Sequence, residues 1–368
     1  MEPVIEANTK FSIDLLKALC KDIKGNVLFS PLSISSALGL VVLGASGETA
    51  EQMYTTLRFY HEKIMYHDLY EELYKGGKYR SLKLVNRMFG ESTLNFYDDF
   101  LDMCEEWCYA SLRNIDFKTN PVVARALINY WVQDKTENEI KNLLDKGDVT
   151  KDTTLVLISA VHFKDKWDKS FAAILTNKDK RLNWPMMSRT DTFPLGNISL
   201  PTEARILEIP YANKDLSMLI ILPNESDGLP KLVESITYEN LLEWTKPENM
   251  IPTDVTLIMP RFKLQEKYDL KEVLKTLGMT DLFDDDKCDL SGMAPGPLKV
   301  PKVVHKSSVE VNVEGTEAAG GSDVDAQGAF LRKKREIEAS FVADHPFLFF
   351  IRHNPTKSII FWSRFISP

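Results

Sequence analysis

The sequence predicts an α+β fold in which a large, mainly antiparallel sheet lies within one domain that spans residues 1–368. The first half of the chain has mainly helical patterns, whereas short apolar segments rich in β-branched residues follow residue 153. No Pro- or Gly-rich linker and no fixed-period repeat divides the 368 residues. Hydrophobic residues make up 44% of the chain, which is enough for a substantial core.

Four helices are predicted in the first half of the chain. The N-terminal segment is amphipathic, because Phe11, Leu15 and Leu19 recur at four-residue spacing along one stripe. Ser30 and Pro31 are a start signal for a helix of small apolar residues, since proline fits the first helical turn. The other two helices are expected over Tyr97–Cys108 and Pro121–Leu144.

Short strands are predicted from residue 154 onward, where segments are apolar or alternate apolar with polar residues. They cover Thr154–Phe163, Arg205–Ile209, Ser217–Leu222, Val255–Met259 and Ser307–Val313. One more helix is expected among them, over Tyr268–Leu277. The chain ends in a predicted hairpin of two buried strands joined by the polar turn Asn354–Lys357.

Charge and composition restrict the possible partners and compartments. Lys and Arg total 45 against 53 Asp and Glu, a net charge of −8, so the chain lacks the general basic character that nucleic-acid binding requires. The N-terminus lacks the pattern of a cleaved signal peptide, and the longest apolar run, Ala37–Leu43, is far too short to span a bilayer. Four cysteines are few for this length, which favours a reducing compartment. We expect a soluble cytoplasmic protein with no membrane partner; export by an uncleaved signal is the alternative.

Patterns for catalysis and metal binding are weak. Cys104 and Cys108 are four residues apart on a predicted helix and could face one metal, but no His or Cys pair stands nearby to complete a zinc site. No nucleophile elbow is present, and Gly44–Glu48 has the wrong spacing for a phosphate-binding loop. The sequence therefore predicts no catalytic residues, no metal and no cofactor.

Five segments stand out in order along the chain: Asn26–Met53, Ile128–Leu144, Thr154–Trp167, Val304–Ala319 and Ala343–Pro368. Together they resemble the serpin family, and in particular its ovalbumin-like (clade B) intracellular branch. The resemblance covers nearly the whole chain. It implies the serpin fold, with three β-sheets, eight or nine helices and an exposed reactive-centre loop at about residues 314–341.

The resemblance also implies a suicide inhibitor of serine proteases rather than an enzyme. The loop is cut like a substrate, the protease is trapped as a covalent acyl complex, and the loop inserts as a new central strand. A metastable native state supplies the driving energy. A monomer is expected. The alternative is a non-inhibitory serpin that acts as a binding, storage or chaperone module.

The segment after Gly315 alternates in a way that suits insertion. From Thr316 to Gly328 every second residue is small or apolar, and the intervening residues carry all the charges. This period of two predicts a strand with one buried face, whereas a flexible Gly/Ala-rich loop needs no such sorting. The hinge and first inserting residues are Gly315, Thr316, Glu317, Ala318, Ala319 and Gly320. Thr316 and Ala318 match the permissive hinge of inhibitory serpins.

Two counts give different reactive bonds. In the family, the reactive bond usually lies about fifteen residues beyond the hinge glycine, here Gly315. This count gives the bond between Ala329 and Phe330, which suits an elastase- or chymotrypsin-like protease. Counting back from His345 lands near Lys333, within a basic cluster that suits trypsin- or furin-like enzymes. That cluster is Arg332, Lys333, Lys334 and Arg335.

The basic cluster also has other interpretations. It could be a solvated loop, or a nuclear-import or polyanion-binding patch. Cleavage after Arg335 would leave roughly 20 Å of extra tether in extended form, and such slack could make the protein a substrate instead of an inhibitor.

The resemblance assigns two control regions, each with a departure from the family. Ser30, Ser33, Ser159 and His305 match the residues called the shutter, although the family usually has asparagine where Ser159 stands. The shorter reach of serine is expected to change the control of sheet opening. Trp167 matches the tryptophan of the region called the breach. Val313 replaces the usual glutamate just before the hinge glycine, which is expected to loosen the hinge.

Overall fold

A computed structural model describes residues 1–59, 66–75, 81–108, 112–174, 184–199, 202–212, 214–315 and 339–368. Contacts divide the chain into two compact units. Unit 1 comprises Met1–Phe163, Gln265–Val309 and Thr356–Trp362, and unit 2 comprises Lys164–Leu264, Glu310–Pro355 and Ser363–Pro368. The expectation of a single domain stays a prediction.

The described residues form nine α-helices, in agreement with the eight or nine expected. They are α1 (Glu2–Asp22), α2 (Pro31–Val42), α3 (Gly47–Leu57), α4 (His67–Tyr74), α5 (Asp98–Cys108), α6 (Pro121–Lys135), α7 (Leu229–Ser235), α8 (Tyr238–Trp244) and α9 (Lys271–Leu277). The start signal at α2 is confirmed: Pro31 occupies the first turn, and the side chain of Ser30 caps the helix by accepting a hydrogen bond from the amide of Ser33.

The predicted helix from Pro121 is too long, because α6 ends at Lys135 and not at Leu144. The Thr136 hydroxyl donates to the carbonyl of Val132 and accepts from the amide of Ile140, which closes a turn beyond the helix. Glu137 and Asn138 then adopt left-handed conformations, with φ of 52° and 69°. A right-handed helix cannot continue through two such residues.

One sheet contains five of the described strands: β2 (Leu82–Glu91), β3 (Leu112–Ile115), β4 (Leu155–Phe163), β10 (Phe262–Asp269) and β11 (Val303–Val311). Their order in this five-stranded sheet is β10-β11-β4-β2-β3. The predicted helix over Tyr268–Leu277 began too early, because Tyr268 belongs to β10. β11 and β4 are parallel, in a register that runs from Val303 opposite Leu157 to Val309 opposite Phe163.

The second sheet has nine strands among the described residues. They are β1 (Val27–Phe29), β5 (Ala172–Ile174), β6 (Met186–Ile198), β7 (Ala204–Pro210), β8 (Leu216–Pro223), β9 (Ile251–Pro260), β12 (Ala339–Val342), β13 (Phe347–His353) and β14 (Ser358–Phe365). Their order is β1-β14-β13-β8-β7-β6-β9-β12, with β5 against β6. Within β6, residues 186–195 pair with β9, whereas residues 195–198 pair with β7. The three expected sheets thus correspond to the five-stranded sheet and to the two strand groups that β6 connects.

All nine residues of β4 are buried, so its near-continuous apolar sequence marks a strand that is covered on both faces. On one face, Val156, Ile158 and Ala160 pack in a cluster with residues of α6. On the other face, Ser159 meets Ser33 at the start of α2. This arrangement places the polar shutter side chains inside the apolar core of unit 1.

Candidate functional site

Most of the predicted reactive loop lies outside the described residues. This applies to the hinge residues Thr316, Glu317, Ala318, Ala319 and Gly320, and to the reactive-bond candidates Ala329, Phe330, Arg332, Lys333, Lys334 and Arg335. Gly315, the shutter residues and Trp167 are described. The described part of the candidate site therefore consists of the two regions in which the loop is expected to act, the shutter and the breach.

The structure brings the four shutter residues together within unit 1. The parallel register of β11 and β4 sets His305 opposite Ser159. Ser30 and Ser33 reach the same place from the start of α2, and all four residues have no solvent exposure. Asn86 of β2 lies opposite Ser159 on the other side of β4 and joins the group.

The hydrogen bonds fix the tautomer of His305. The backbone amide of Ser30 donates to Nε2 of His305 over 3.1 Å, so Nε2 carries no proton. Complete burial lowers the pKa of His305 to about 3, so the ring is neutral and its proton is on Nδ1. Nδ1 lies 2.8 Å from Oγ of Ser159 and donates to it.

The direction of the remaining hydrogen bonds follows from the single proton that each hydroxyl carries. The Ser159 hydroxyl, which accepts from His305, donates to Oγ of Ser33 over 2.7 Å. The Ser33 hydroxyl then donates to Oδ1 of Asn86, also over 2.7 Å. The amide nitrogen of Asn86 donates to Oγ of Ser36 over 2.9 Å. A single chain of donors thus runs from β11 through β4 and α2 to β2.

Asn86 was missed by the sequence analysis because β2 was not predicted. Its neighbours Leu82, Leu84 and Val85 are apolar or β-branched and were the available signal for a strand. Ser159 does reach His305, and Asn86 supplies an amide to the network from the adjacent strand.

The breach lies within unit 2 and consists of Trp167 with Phe171, Tyr211 and Gly315. Trp167 is 1% exposed and stacks on Tyr211 with 4.4 Å between ring centroids and 10° between ring planes. Phe171 meets Trp167 edge-on with centroids 5.6 Å apart. These rings are packed at distances typical of favourable aromatic pairs.

Main-chain hydrogen bonds tie the hinge to the breach. The amide of Trp167 donates to the carbonyl of Glu314 over 3.0 Å, and that of Phe171 donates to the carbonyl of Val313 over 3.0 Å. The indole Nε1 of Trp167 donates to the carbonyl of Asn312 over 2.8 Å. None of these bonds uses the side chain of residue 313, so the tie persists with valine in place of glutamate.

Gly315 sits too close to the breach backbone for any other residue. It bridges to Trp167 in the parallel sense, and a Cβ added to it would lie 2.1 Å from the backbone nitrogen of Ser170. That distance is a clash with main-chain atoms, which cannot rotate away. The close approach explains why the hinge begins with glycine.

A buried ionic cluster supports the turn between Trp167 and Phe171. The guanidinium of Arg189 on β6 contacts Asp168 and Asp191, each over 2.7 Å, and donates to the carbonyl of Lys169 over 3.1 Å. This cluster was not predicted from the sequence, because no strand was expected over β6. Nη1 and Nη2 of Arg189 are satisfied by the two carboxylates and the Lys169 carbonyl, whereas its Nε has no hydrogen-bond partner among the described residues.

Among the described residues, no three His, Cys, Asp or Glu side chains are grouped so that they could hold a metal ion. Cys104 is buried, and the side chain of Cys108 is outside the described part of the chain. No helix in the described ranges is both long enough and apolar enough to cross a membrane.

Comparisons with known proteins agree with the geometry. A family model described as Serpin (serine protease inhibitor) matches residues 6–368. Human serpin B3 is 41% identical over 397 residues, and bovine leukocyte elastase inhibitor is 44% identical over 383 residues, each match covering 100% of both sequences. The crystal structure of uncleaved ovalbumin is similar with a TM-score of 0.88 and 31% identity, covering 99% of this chain and 100% of ovalbumin.

Proposed function

Because this chain belongs to the serpin family and to its ovalbumin-like clade B branch, we propose that it inhibits serine proteases by suicide cleavage. A protease cuts the reactive loop, the acyl-enzyme is trapped, and the loop inserts between β4 and β11. The protein acts as a cytoplasmic monomer whose partner is the trapped protease. Its reactive bond lies between Ala329 and Arg335.

The observation that carries this proposal is the parallel ladder between β11 and β4, seen together with the segment that follows Gly315. Seven residue pairs form this ladder, from Val303–Leu157 to Val309–Phe163. A strand that turns back after Gly315 would run antiparallel to β11, and therefore antiparallel to β4 as well. Insertion would replace one parallel ladder by two antiparallel ladders, which are slightly more stable per residue.

The alternating pattern of the loop sequence also supports insertion. Once inserted, the small residues at alternate positions from Thr316 would face the core, and the charged set that includes Glu317 would face outward. The inward face suits a sheet that is covered by α2, whose residues are all buried. The position of the reactive bond determines the class of target protease. Cleavage after Ala329 or Phe330 implies an elastase- or chymotrypsin-like protease, whereas cleavage within the basic cluster implies a trypsin- or furin-like protease.

The proposal is tested by separate incubations with elastase, chymotrypsin, trypsin and furin. Denaturing gels and mass spectrometry of the released C-terminal peptide report complex formation and the cleaved bond. A denaturant-stable complex with at least one protease is expected, together with a rise in melting temperature of the nicked protein. Clean cleavage by all four, with no complex and no rise, would instead favour a non-inhibitory serpin.

A matched pair of hinge variants separates insertion from simple cleavage. Thr316→Arg places a charge on the inward face, where burial without a partner costs on the order of several kcal/mol. It should be cut at the same bond but form no complex. Glu317→Arg places the same charge one residue later, on the outward face, and should retain complex formation. Equal behaviour of the two variants would argue against strand insertion.

A further inference from the structure

Residues 136–154, here called the strap, connect α6 to β4 within unit 1. The strap contributes four buried apolar residues to the cluster that covers the sheet: Ile140, Leu143, Leu144 and Val149. The same cluster contains Val156 and Ile158 of β4 and Val304 of β11. The strap therefore packs on both strands of the parallel ladder.

Polar contacts tie the strap to the β2 and β4 side of that ladder. Glu137 forms an ion pair with Lys83 of β2, with 2.5 Å between Oε1 and Nζ. A carboxylate oxygen of Glu139 lies 4.0 Å from Nε2 of His162 on β4. Both contacts involve the first residues of the strap.

A second set of contacts ties the strap to the β11 and β10 side. Nζ of Lys306 donates to the carbonyl of Lys141 over 2.9 Å. Nζ of Lys267 on β10 lies 2.6 Å from Oδ2 of Asp145. Lys302, the residue before β11, pairs with Asp148 over 2.5 Å. The strap thus spans the ladder and is fastened on each side of it.

Asp148 is the central member of the second set. Its side chain is only 14% exposed, and it lies within 3.8 Å of Nζ of Lys267 in addition to its contact with Lys302. It also accepts the backbone amide of Asp145 over 2.7 Å, which folds the strap around it. Burial opposes ionisation, but the hydrogen bond from Lys302 and its charge hold the pKa of Asp148 below its ordinary value.

Opening the ladder for one more strand separates β4 from β11 by roughly a further 4.8 Å. The strap contacts on the β2 and β4 side and those on the β11 side are 2.5 to 2.9 Å long and cannot both survive that separation. One of the two sets must therefore break before the new strand can enter. We infer that Asp148, through Lys302 and Lys267, is a positioning residue that restrains the opening of the β4–β11 ladder and so sets the rate of loop insertion. This inference rests on the proposed function, since it concerns the insertion step of that mechanism.

The test uses a synthetic peptide with the sequence of residues 316–328, added to the intact protein. Its annealing is followed on native gels and by melting temperature, so no target protease is needed. Asp148→Asn removes the charge but keeps an acceptor for the amide of Asp145, and Lys302→Gln removes the same ion pair from the sheet side. The matched control is Glu243→Gln, which removes an exposed ion pair to Lys246 in unit 2.

Both strap variants should anneal the peptide about five-fold faster than the wild type, a change expected for loss of a largely shielded ion pair. Annealing of the wild type should accelerate with added salt, whereas that of Asp148→Asn should respond less. The control should match the wild type in rate and in salt response.

The outcomes separate this inference from the proposed function. If the wild type and the strap variants anneal the peptide at the same rate, the inference is overturned, but the proposed loop insertion is not contradicted. Annealing by the variants alone supports the inference in its strongest form. If none of the proteins anneals the peptide, the inference is overturned, and insertion itself is contradicted as well.

Discussion

In the shutter, the contacts between elements are made by side chains: an imidazole, two hydroxyls and an amide pass hydrogen bonds from His305 to Asn86. In the breach, three of the ties end on main-chain carbonyls of the hinge, and the rest is packing between aromatic rings. Each region is thus sensitive to a different kind of substitution. A changed side chain alters the shutter network directly, whereas the breach tolerates a change such as Val313 provided that the backbone and the rings remain.

The comparison also predicts different responses to pH. The shutter contains a neutral, fully buried histidine, whose protonation would remove the acceptor for the Ser30 amide. The direct ties of the breach are peptide groups and rings, and burial raises the pKa of Tyr211 well above its usual value. Acid should therefore lower the free energy of unfolding through His305, because the unfolded chain takes up the proton that the buried ring resists.

The largest expected effect is the deletion of the breach indole. Trp167→Ala removes a fully packed ring and its hydrogen bond, which should cost about 3–5 kcal/mol in the first urea-unfolding transition. Tyr130→Ala, at a residue that is 69% exposed on α6, is the control and should stay within about 0.5 kcal/mol of wild type. A loss below about 1 kcal/mol for Trp167→Ala would show that main-chain bonds alone hold the breach.

The next effect is the pH dependence that His305 contributes. Its pKa is about 3 when folded and about 6.5 when unfolded, so the unfolded state binds the proton more tightly. The stability from this residue is fully present above pH 6.5 and falls as the pH drops toward 3, by about 2 kcal/mol at pH 5.

His305→Gln isolates that contribution from the carboxylates, which titrate in both proteins. The variant should be less stable than wild type at neutral pH, because the shutter loses an optimal partner. The difference between the two proteins, measured by urea unfolding at several pH values, should shrink as the pH falls from 6.5. A constant difference would mean that His305 does not titrate as its burial implies.

Prediction from sequence worked best where burial was complete. β4 was predicted nearly to its ends, because it is covered on both faces and its apolar residues run together. β2 and β6 carry charged residues such as Arg87 and Arg189 between their apolar ones, so their sequences resemble loops. Because those two strands were not predicted, Asn86 and the cluster around Arg189 were not predicted either.

The error at the end of α6 has a related cause. Val132, Ile140, Leu143 and Leu144 are buried at spacings that continue a helical stripe, although the chain after Lys135 is not helical. Apolar periodicity reports which residues face the core, and a strap that packs on a sheet can reproduce it. The left-handed residues Glu137 and Asn138 that break the helix have no comparable signature in sequence.

The smallest expected effect concerns the shutter residue that departs from the family. Ser159→Ala removes the acceptor of the His305 Nδ1 proton and the donor to Ser33, while Asn86 still accepts from Ser33. One buried donor is left without a partner, which should cost about 1–2 kcal/mol in urea unfolding.

Ser308→Ala is the matched control, because Ser308 lies on β11, is equally buried, and its hydroxyl has no hydrogen-bond partner within the described part of the chain. It should be neutral or slightly stabilising, since removal of an unsatisfied buried hydroxyl relieves its desolvation penalty. If both variants cost the same, the loss at Ser159 would reflect packing, and the contrast between a side-chain shutter and a main-chain breach would not hold. A loss confined to Ser159 would locate the shutter's strength in its chain of donors.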